Sequence, residues 1–317
     1  MGGEQRMSVK VFIDGSSGTT GLRIADRLAA RPEIELLSIS AEGRKDVNER
    51  ASVINSADLA FLCLPDAASR EVMPLLRPDV KVLDTSTAFR TDPAWDYGFP
   101  ELKGQKEKIQ NSCRVAVPGC YASGFISIAR PLVELGLVPA DYPFSCTGIS
   151  GYSGGGKKMI AEYEAPDRSP LLDAPSLYSI GLAHKHLPEM QKLAGLDSAP
   201  VFVPILGDIR QGMMTSVMLQ NKLLSGTPTA QDICEMLSSY YEGQEMVRVL
   251  PFGGETPRLA TSALAGKDYL TITVSGHTDQ TLLTAQFDNL GKGASGAAVQ
   301  NMNIMLGFPE STGLNID

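Results

Sequence analysis

The sequence predicts an α/β protein: a Rossmann-type doubly wound parallel sheet, followed by a second α+β domain with a mixed or antiparallel sheet. Three observations predict it. Short apolar runs alternate with helical stretches over short connections from residue 9 to residue 117. The first of those runs opens directly into a glycine loop. Beyond residue 144 the strand signals lengthen and few helices separate them. With 317 residues, 43% of them apolar, the chain can bury two cores. The domains are read as 8–119, completed by a C-terminal helical segment 292–317, and 120–291.

Composition removes several functions. A net charge of −8 and a pI near 5.1 give no basic footprint for nucleic acid. The five cysteines are odd in number and form no C-x-x-C pair, which argues against a disulfide framework and for a reducing, cytoplasmic setting. No apolar run reaches the roughly 18 to 20 residues of a membrane span. The polar start lacks a signal-peptide centre, and residues 1–6 read as a frayed end without a role.

Residues 9–13 form a β-branched strand that enters Asp14-Gly15-Ser16-Ser17-Gly18-Thr19-Thr20-Gly21 and then a helix over 22–30. Glycine at 15, 18 and 21 lets the backbone turn tightly and approach a pyrophosphate at the helix N-terminus, so Gly15, Ser17, Gly18, Thr19, Thr20 and Gly21 are cofactor candidates. The alternative is an ordinary βα turn. A second strand, 34–39, brings Ser38, Ser40, Arg44 and Lys45 to its end, where an NAD enzyme would carry a carboxylate. Hydroxyls and cationic forks suit a 2′-phosphate, which favours NADP over a merely solvated loop.

A helix over 48–55 and a continuously apolar strand over 58–64, ending at Pro65, continue the alternation. A helix over 67–76 and a strand over 81–84 follow. Ligands in such sheets bind beyond the carboxyl ends of the strands, where Pro65, Ser86 and Arg90 emerge. Arg90 could clamp a carboxylate or phosphate, or be only solvated.

A strand over 114–117 turns at Pro118-Gly119 into a helix over 121–135, placing Cys120 at or just before the helix start. There the unsatisfied N–H groups and the positive end of the macrodipole favour a thiolate. A small core cysteine is the alternative.

In the second half a strand over 144–149 ends in the glycine-dense loop Ser150-Gly151-Tyr152-Ser153-Gly154-Gly155-Gly156-Lys157-Lys158, either a flexible connector or a close approach to a ligand. His184-Lys185-His186-Leu187-Pro188-Glu189 holds two of the three histidines. A thiolate that accepts an acyl group needs a proton partner near neutral pH, and either His184 or His186 could serve, or be structural. A zinc set of His184, His186, Glu189 and Cys120 matches no common motif, so no metal is expected. Strands over 201–206, 213–220, 247–250, 269–276 and 280–288, with helices over 229–241 and 296–306, complete the chain.

Jointly the motifs resemble the N-acetyl-γ-glutamyl-phosphate reductase family of arginine biosynthesis, in its shorter form. The likeness is carried by the Gly15 to Gly21 loop, Tyr97-Gly98-Phe99-Pro100-Glu101-Leu102, Val117-Pro118-Gly119-Cys120-Tyr121, Ser150-Gly151-Tyr152-Ser153-Gly154, His184-Lys185-His186-Leu187-Pro188-Glu189, Arg210-Gln211-Gly212-Met213 and Asn289-Leu290-Gly291-Lys292-Gly293-Ala294. Phe99, Lys185 and Ala122 depart from the longer form, which commonly has Leu, Arg and Pro there.

The resemblance implies a reductive dephosphorylation through a thioester on Cys120, with hydride from NADPH. It makes His186 the first and His184 the second choice of acid/base, with Glu189 orienting one of them or the substrate. Arg90 and Arg210, beside Ser150 and Gly151, would hold the substrate; Asn289, Lys292 and Gly293 would help hold the cofactor. It also implies closure between the domains and a homodimer or homotetramer. Aspartate-semialdehyde dehydrogenase and aminoadipyl-phosphate reductase remain enzyme alternatives, and an NADP-binding sensor or structural protein the non-enzyme one.

Overall fold

The computed structural model describes residues 8–254 and 257–317, so the expectation for residues 1–6 lies outside the described residues. The chain divides into two compact units. The first is Met1–Pro100, Gly104–Val117 and Ala297–Leu314; the second is Glu101–Lys103, Pro118–Gly296 and Asn315–Asp317. The division therefore falls two residues before the one read from sequence, and residues 292–296 and 315–317 belong with the second unit. The contacts explain this placement: Lys292 pairs with Glu101, and the Asn315 backbone exchanges hydrogen bonds with Asp268.

In the first unit, β1 (Val9–Asp14), β2 (Ile34–Leu37), β3 (Leu59–Leu62), β4 (Lys81–Asp84), β5 (Asp96–Tyr97) and β6 (Arg114–Ala116) form one sheet. The order is β2-β1-β3-β4-β6-β5, with every pairing parallel. The helices are α1 (Thr19–Ala29), α2 (Val47–Ser56), α3 (Asp66–Val72) and α4 (Gln105–Asn111), together with the C-terminal helix. Side chains alternate across a strand, and the two faces of this sheet carry separate cores. Val11, Ile13, Phe61 and Leu83 pack with Ile24, Leu28 and the C-terminal Ala298, Val299 and Met302. Phe12, Ala60, Leu62 and Val82 pack with Ala51, Ile54 and Val72. Burial on both faces is why β3 reads as an unbroken apolar run.

The second unit holds β7 (Ser145–Gly151), β8 (Ser176–Leu177), β9 (Val201–Gly207), β10 (Met213–Gln220), β11 (Val247–Val249), β12 (Leu270–Gly276) and β13 (Gln280–Phe287). Their order is β11-β12-β13-β10-β7-β9-β8. The sheet is mixed: β7 with β9 and β11 with β12 run parallel, and the other pairs antiparallel. Its helices are α5 (Cys120–Glu134), α6 (Gly156–Tyr163), α7 (Leu187–Ala194) and α8 (Ala230–Tyr240); α9 (Gly296–Leu306) is the C-terminal helix of the first unit, which it enters at Ala297. In β10 the residues Met213, Thr215, Val217 and Leu219 are buried while those between them are not, the alternation of a sheet with one covered face. The buried helix α5 lies so close to that face that a Cβ on Gly124 would stand 2.5 Å from Thr215 Oγ1.

Several segments differ from the sequence reading, among them the short strand β5 and the helix α4, which fall where no element was expected. The glycine-dense stretch after Ser150 is not a loop throughout, because a 3-10 turn, Tyr152–Gly155, leads straight into α6. Helix α7 was not expected at all. Pro188 stands in its first turn, where a missing N–H costs nothing.

Candidate active site

Cys120 is the first residue of α5 and is half-buried. No acidic residue occupies the first turn of this helix, so its positive end acts on the thiol undiminished from within. The residue before it is held from another helix: the Gly119 N–H donates to Glu189 Oε1 at 2.8 Å, and Glu189 is 2% exposed in the first turn of α7. From behind, a Cβ added to Gly293 would come within 3.1 Å of Cys120 Cβ. Gly293 belongs to a π-helical turn, Gly291–Ser295, a distortion often found at functional sites.

The two histidines gather beside Tyr121, the neighbour of Cys120. Ring centroids lie 5.6 Å from Tyr121 for His184, 6.1 Å for His186, and 4.8 Å between the histidines. His186 is buried, and His184 is half-buried. Burial, with a smaller effect of Lys185, pushes His184 down to about 4, so it is neutral at neutral pH. The Tyr121 ring fits only because residue 148 is glycine: a Cβ there would stand 2.5 Å from the ring. The Tyr121 hydroxyl donates to Ile205 O at 3.3 Å, and burial drives it well above the usual phenol range. Burial likewise raises Tyr178 to about 12.

Ser150 and Gly151 close β7 next to these rings. A side chain at 151 would collide with the 209–211 backbone, 2.7 Å from Ile209 O, so glycine brings the Arg210 turn against β7. Arg210 itself is largely exposed and stands 3.7 Å from Glu164. Arg90 belongs to the first unit, where its Nε donates to Val117 O at 2.9 Å and an Nη to Thr85 O at 3.0 Å.

Three residues read from sequence as cofactor contacts have other partners. Lys292 is 1% exposed and pairs at 2.5 Å with an equally buried Glu101. Asn289 accepts from Gly212 N–H at 2.9 Å and donates to Ser153 Oγ at 3.0 Å, tying two glycine-rich turns together. Ser86 donates to Asp84 at 2.6 Å and accepts from Ala88 N–H. All three side chains are thus bonded within the protein and buried.

The glycine loop lies in the first unit. Gly15 has φ +87°, and a Cβ there would stand 2.3 Å from Cys63 O; at Gly21 it would stand 2.5 Å from Gly15 O. The loops after β1 and β3 are thus pressed together, at the switch point where such sheets bind nucleotides. Gly18 donates to Gly15 O and precedes Thr19 and Thr20, the first residues of α1. Beside the loop is a cleft of about 400 Å³ lined by Gly15, Ser17, Ser38, Arg44 and Leu64 among others. Ser40 Oγ accepts from Gly43 N–H at 2.9 Å and so shapes the turn that carries Arg44 and the exposed Lys45. Pro65 caps α3. Bare glycines, a helix N-terminus and a cleft with a cation at its rim fit a nicotinamide dinucleotide.

Sequence reasoning missed Tyr178, Phe202 and Glu101 as parts of the site. Glu101 stood in a recognised motif; Tyr178 carried no local signal. Among the described residues, no three His, Cys, Asp or Glu side chains gather as a metal-holding group, and no helix is long and apolar enough to cross a membrane.

The profile for "Semialdehyde dehydrogenase, NAD binding domain" matches residues 10–112, and that for "Semialdehyde dehydrogenase, dimerisation domain" matches 120–289. The class is therefore that of the semialdehyde dehydrogenases. Solved structures of similar fold include aspartate semialdehyde dehydrogenase II from Vibrio cholerae (TM-score 0.67, 18% identity, 95% of this chain and 99% of that one). Another is aspartate semialdehyde dehydrogenase from Francisella tularensis (TM-score 0.69, 15% identity, 94% and 100%). At such identities the likeness concerns the fold. Curated relatives are far nearer: N-acetyl-gamma-glutamyl-phosphate reductase 2 of a Nostoc species is 46% identical, over 96% of this chain and 99% of the relative. The N-acetyl-gamma-glutamyl-phosphate reductase of Brucella ovis is 47% identical, over 95% and 100%. The chain belongs to the N-acetyl-γ-glutamyl-phosphate reductase family.

Proposed function

We propose that this chain reduces N-acetyl-L-glutamyl 5-phosphate to N-acetyl-L-glutamate 5-semialdehyde with NADPH, releasing phosphate, as a step of arginine biosynthesis. The observation that carries the reading is Cys120 at the start of a buried helix, with the preceding N–H held by the glutamate of the H-x-H-x-P-E segment.

His186 takes the Cys120 proton, and the thiolate attacks the acyl carbon. The C–O bond to phosphate breaks, phosphate leaves with the electron pair, and the proton on His186 goes to it. Cys120 then carries the acyl group as a thioester. NADPH, when bound, supplies the hydride that reduces the acyl carbon to the aldehyde level. As the carbonyl re-forms, the C–S bond breaks, the electron pair returns to Cys120 as thiolate, and solvent restores its proton. Arg210 and Ser150 are the substrate-holding candidates of the second unit, and Arg90 that of the first. Gly15, Ser17, Gly18, Thr19, Thr20 and Gly21 would cradle the pyrophosphate, with Ser40, Arg44 and Lys45 at a 2′-phosphate.

Self-assembly into a homodimer or homotetramer, in the cytoplasm, completes the proposal. It is supported by the exposed Leu171, Leu177, Ile180 and Leu182 around the edge strand β8. The reaction is tested in reverse, by following NADP reduction with phosphate and either N-acetylglutamate semialdehyde or aspartate semialdehyde. Turnover confined to the acetylated substrate is expected; turnover only with aspartate semialdehyde overturns the assignment.

A further inference from the structure

The H-x-H segment presents two histidines in apparently equivalent places, but the hydrogen bonds around them are not equivalent. The His186 backbone N–H donates to His184 Nδ1 at 3.3 Å, so that nitrogen offers a lone pair. The other ring nitrogen, His184 Nε2, stands 3.5 Å from the Tyr178 hydroxyl. Tyr121, whose ring centroid lies 6.5 Å from that of Tyr178, donates its hydroxyl to Ile205 O at 3.3 Å. A polar link thus runs from the Tyr178 hydroxyl through the His184 ring to the His186 backbone. The His184 ring is wedged by aromatic contacts: it meets Phe202 edge-on at 5.2 Å, and Tyr121 beside it meets Phe202 at 5.0 Å.

The loop that makes this arrangement is strained. Ser179 and Leu182, between Tyr178 and His184, have φ of +51° and +54°, a conformation that a bulky leucine adopts only when its surroundings dictate it. Leu182 is 51% exposed, so core packing of its own side chain is not the reason.

We infer that His184 and Tyr178 are positioning residues: His184, fixed as the neutral Nε2–H tautomer between Tyr178 and the His186 N–H, sets the place of His186, which alone moves the proton. This inference rests on the proposed thioester reaction for the role of His186, but the tautomer of His184 is independent of it. The titratable groups facing His184 are Tyr178 from the β8 segment, Tyr121 from α5, and its neighbours Lys185 and His186; Cys120 is coupled to both phenols. From β9 the Phe202 ring meets it. None of these is a carboxylate that would hold a charged imidazolium, which agrees with the low affinity of His184 for a second proton.

The chain has only three histidines, so their ring nitrogens are resolvable by long-range 1H–15N NMR of the full-length protein, assigned with His184→Asn and His277→Asn. The His184 signals are expected to report a neutral ring protonated on Nε2 from about pH 8 down to about pH 5. A ring protonated on Nδ1, or one titrating near its ordinary value, overturns the inference. Kinetics give a second reading. In His184→Asn the Oδ1 atom can accept the His186 N–H as Nδ1 does, so kcat should fall by no more than about tenfold and keep the wild-type pH inflection, whereas His184→Ala should fall further and His186→Asn by about 10² to 10⁴. Loss of the inflection in His184→Asn, with kcat as low as in His186→Asn, would identify His184 as the proton carrier. If Cys120→Ser still turned over, the thioester reading would fall while the NMR result would still decide the tautomer.

Discussion

The glycine loop of the first unit and the H-x-H-x-P-E segment of the second are built from opposite materials. The loop is backbone: Gly15 and Gly21 are required because a Cβ would strike Cys63 O or Gly15 O, and every participant lies close in sequence or at the end of the next-but-one strand. The histidine segment is side chain: Glu189 reaches Gly119, 70 residues away, and His184 meets Tyr121 and Phe202 from α5 and β9. A backbone site demands rare residue types at fixed local spacing. A side-chain site demands partners that only the fold supplies.

The comparison can be broken first at Lys292. If the second unit depends on buried side-chain partners, Lys292→Met, which strips the ammonium from the buried Glu101 carboxylate, should cost about 3 to 5 kcal/mol in denaturant unfolding. A cost near zero would return Lys292 to the cofactor role read from sequence. In the first unit, Gly15→Ala imposes a side chain on a residue with φ +87° and no room, a strain of about 1 to 3 kcal/mol. Its effect should appear as a raised KM for NADPH with thiol alkylation of Cys120 unchanged.

Glu189 separates side-chain geometry from charge. Glu189→Gln keeps an acceptor for Gly119 N–H, whereas Glu189→Ala leaves that N–H without one, at about 1 to 3 kcal/mol. The alanine variant should therefore lose both stability and kcat, and the glutamine variant markedly less. The smallest effect concerns His184. Its folded value of about 4 lies below the ordinary 6.5, so the unfolded chain binds a proton that the folded chain refuses. Stability contributed by the neutral ring is complete above about 6.5 and is lost as pH falls towards about 4; urea midpoints of His184→Asn should lack this part of the decline.

How much was legible follows the same division. The parallel sheet could be read because its strands alternate with helices and because β3, buried on both faces, is apolar without interruption. Helix α5 was expected from its apolar spacing, and Cys120 proves to be its first residue. Helix α7 was hidden because its cap, His186, and the Glu189 of its first turn drew a chemical reading. Tyr178 was hidden because one phenol in a loop has no signature until β9 and α5 bring Phe202 and Tyr121 to it. The burial of Lys292 was hidden for a physical reason: a lysine beside glycines looks solvent-facing, and only the arrival of Glu101 from residues 101–103 makes its burial tolerable.

The covalent role of Cys120 is tested most directly by mixing the protein with N-acetylglutamyl phosphate in the absence of reductant and measuring intact mass and released phosphate. One N-acetylglutamyl group per chain, mapped to Cys120, with one phosphate released and neither event in Cys120→Ser, is the expected result. A wild-type protein that turns over with NADPH yet never carries the acyl group, or a Cys120→Ser variant that releases phosphate at the wild-type rate, would contradict it.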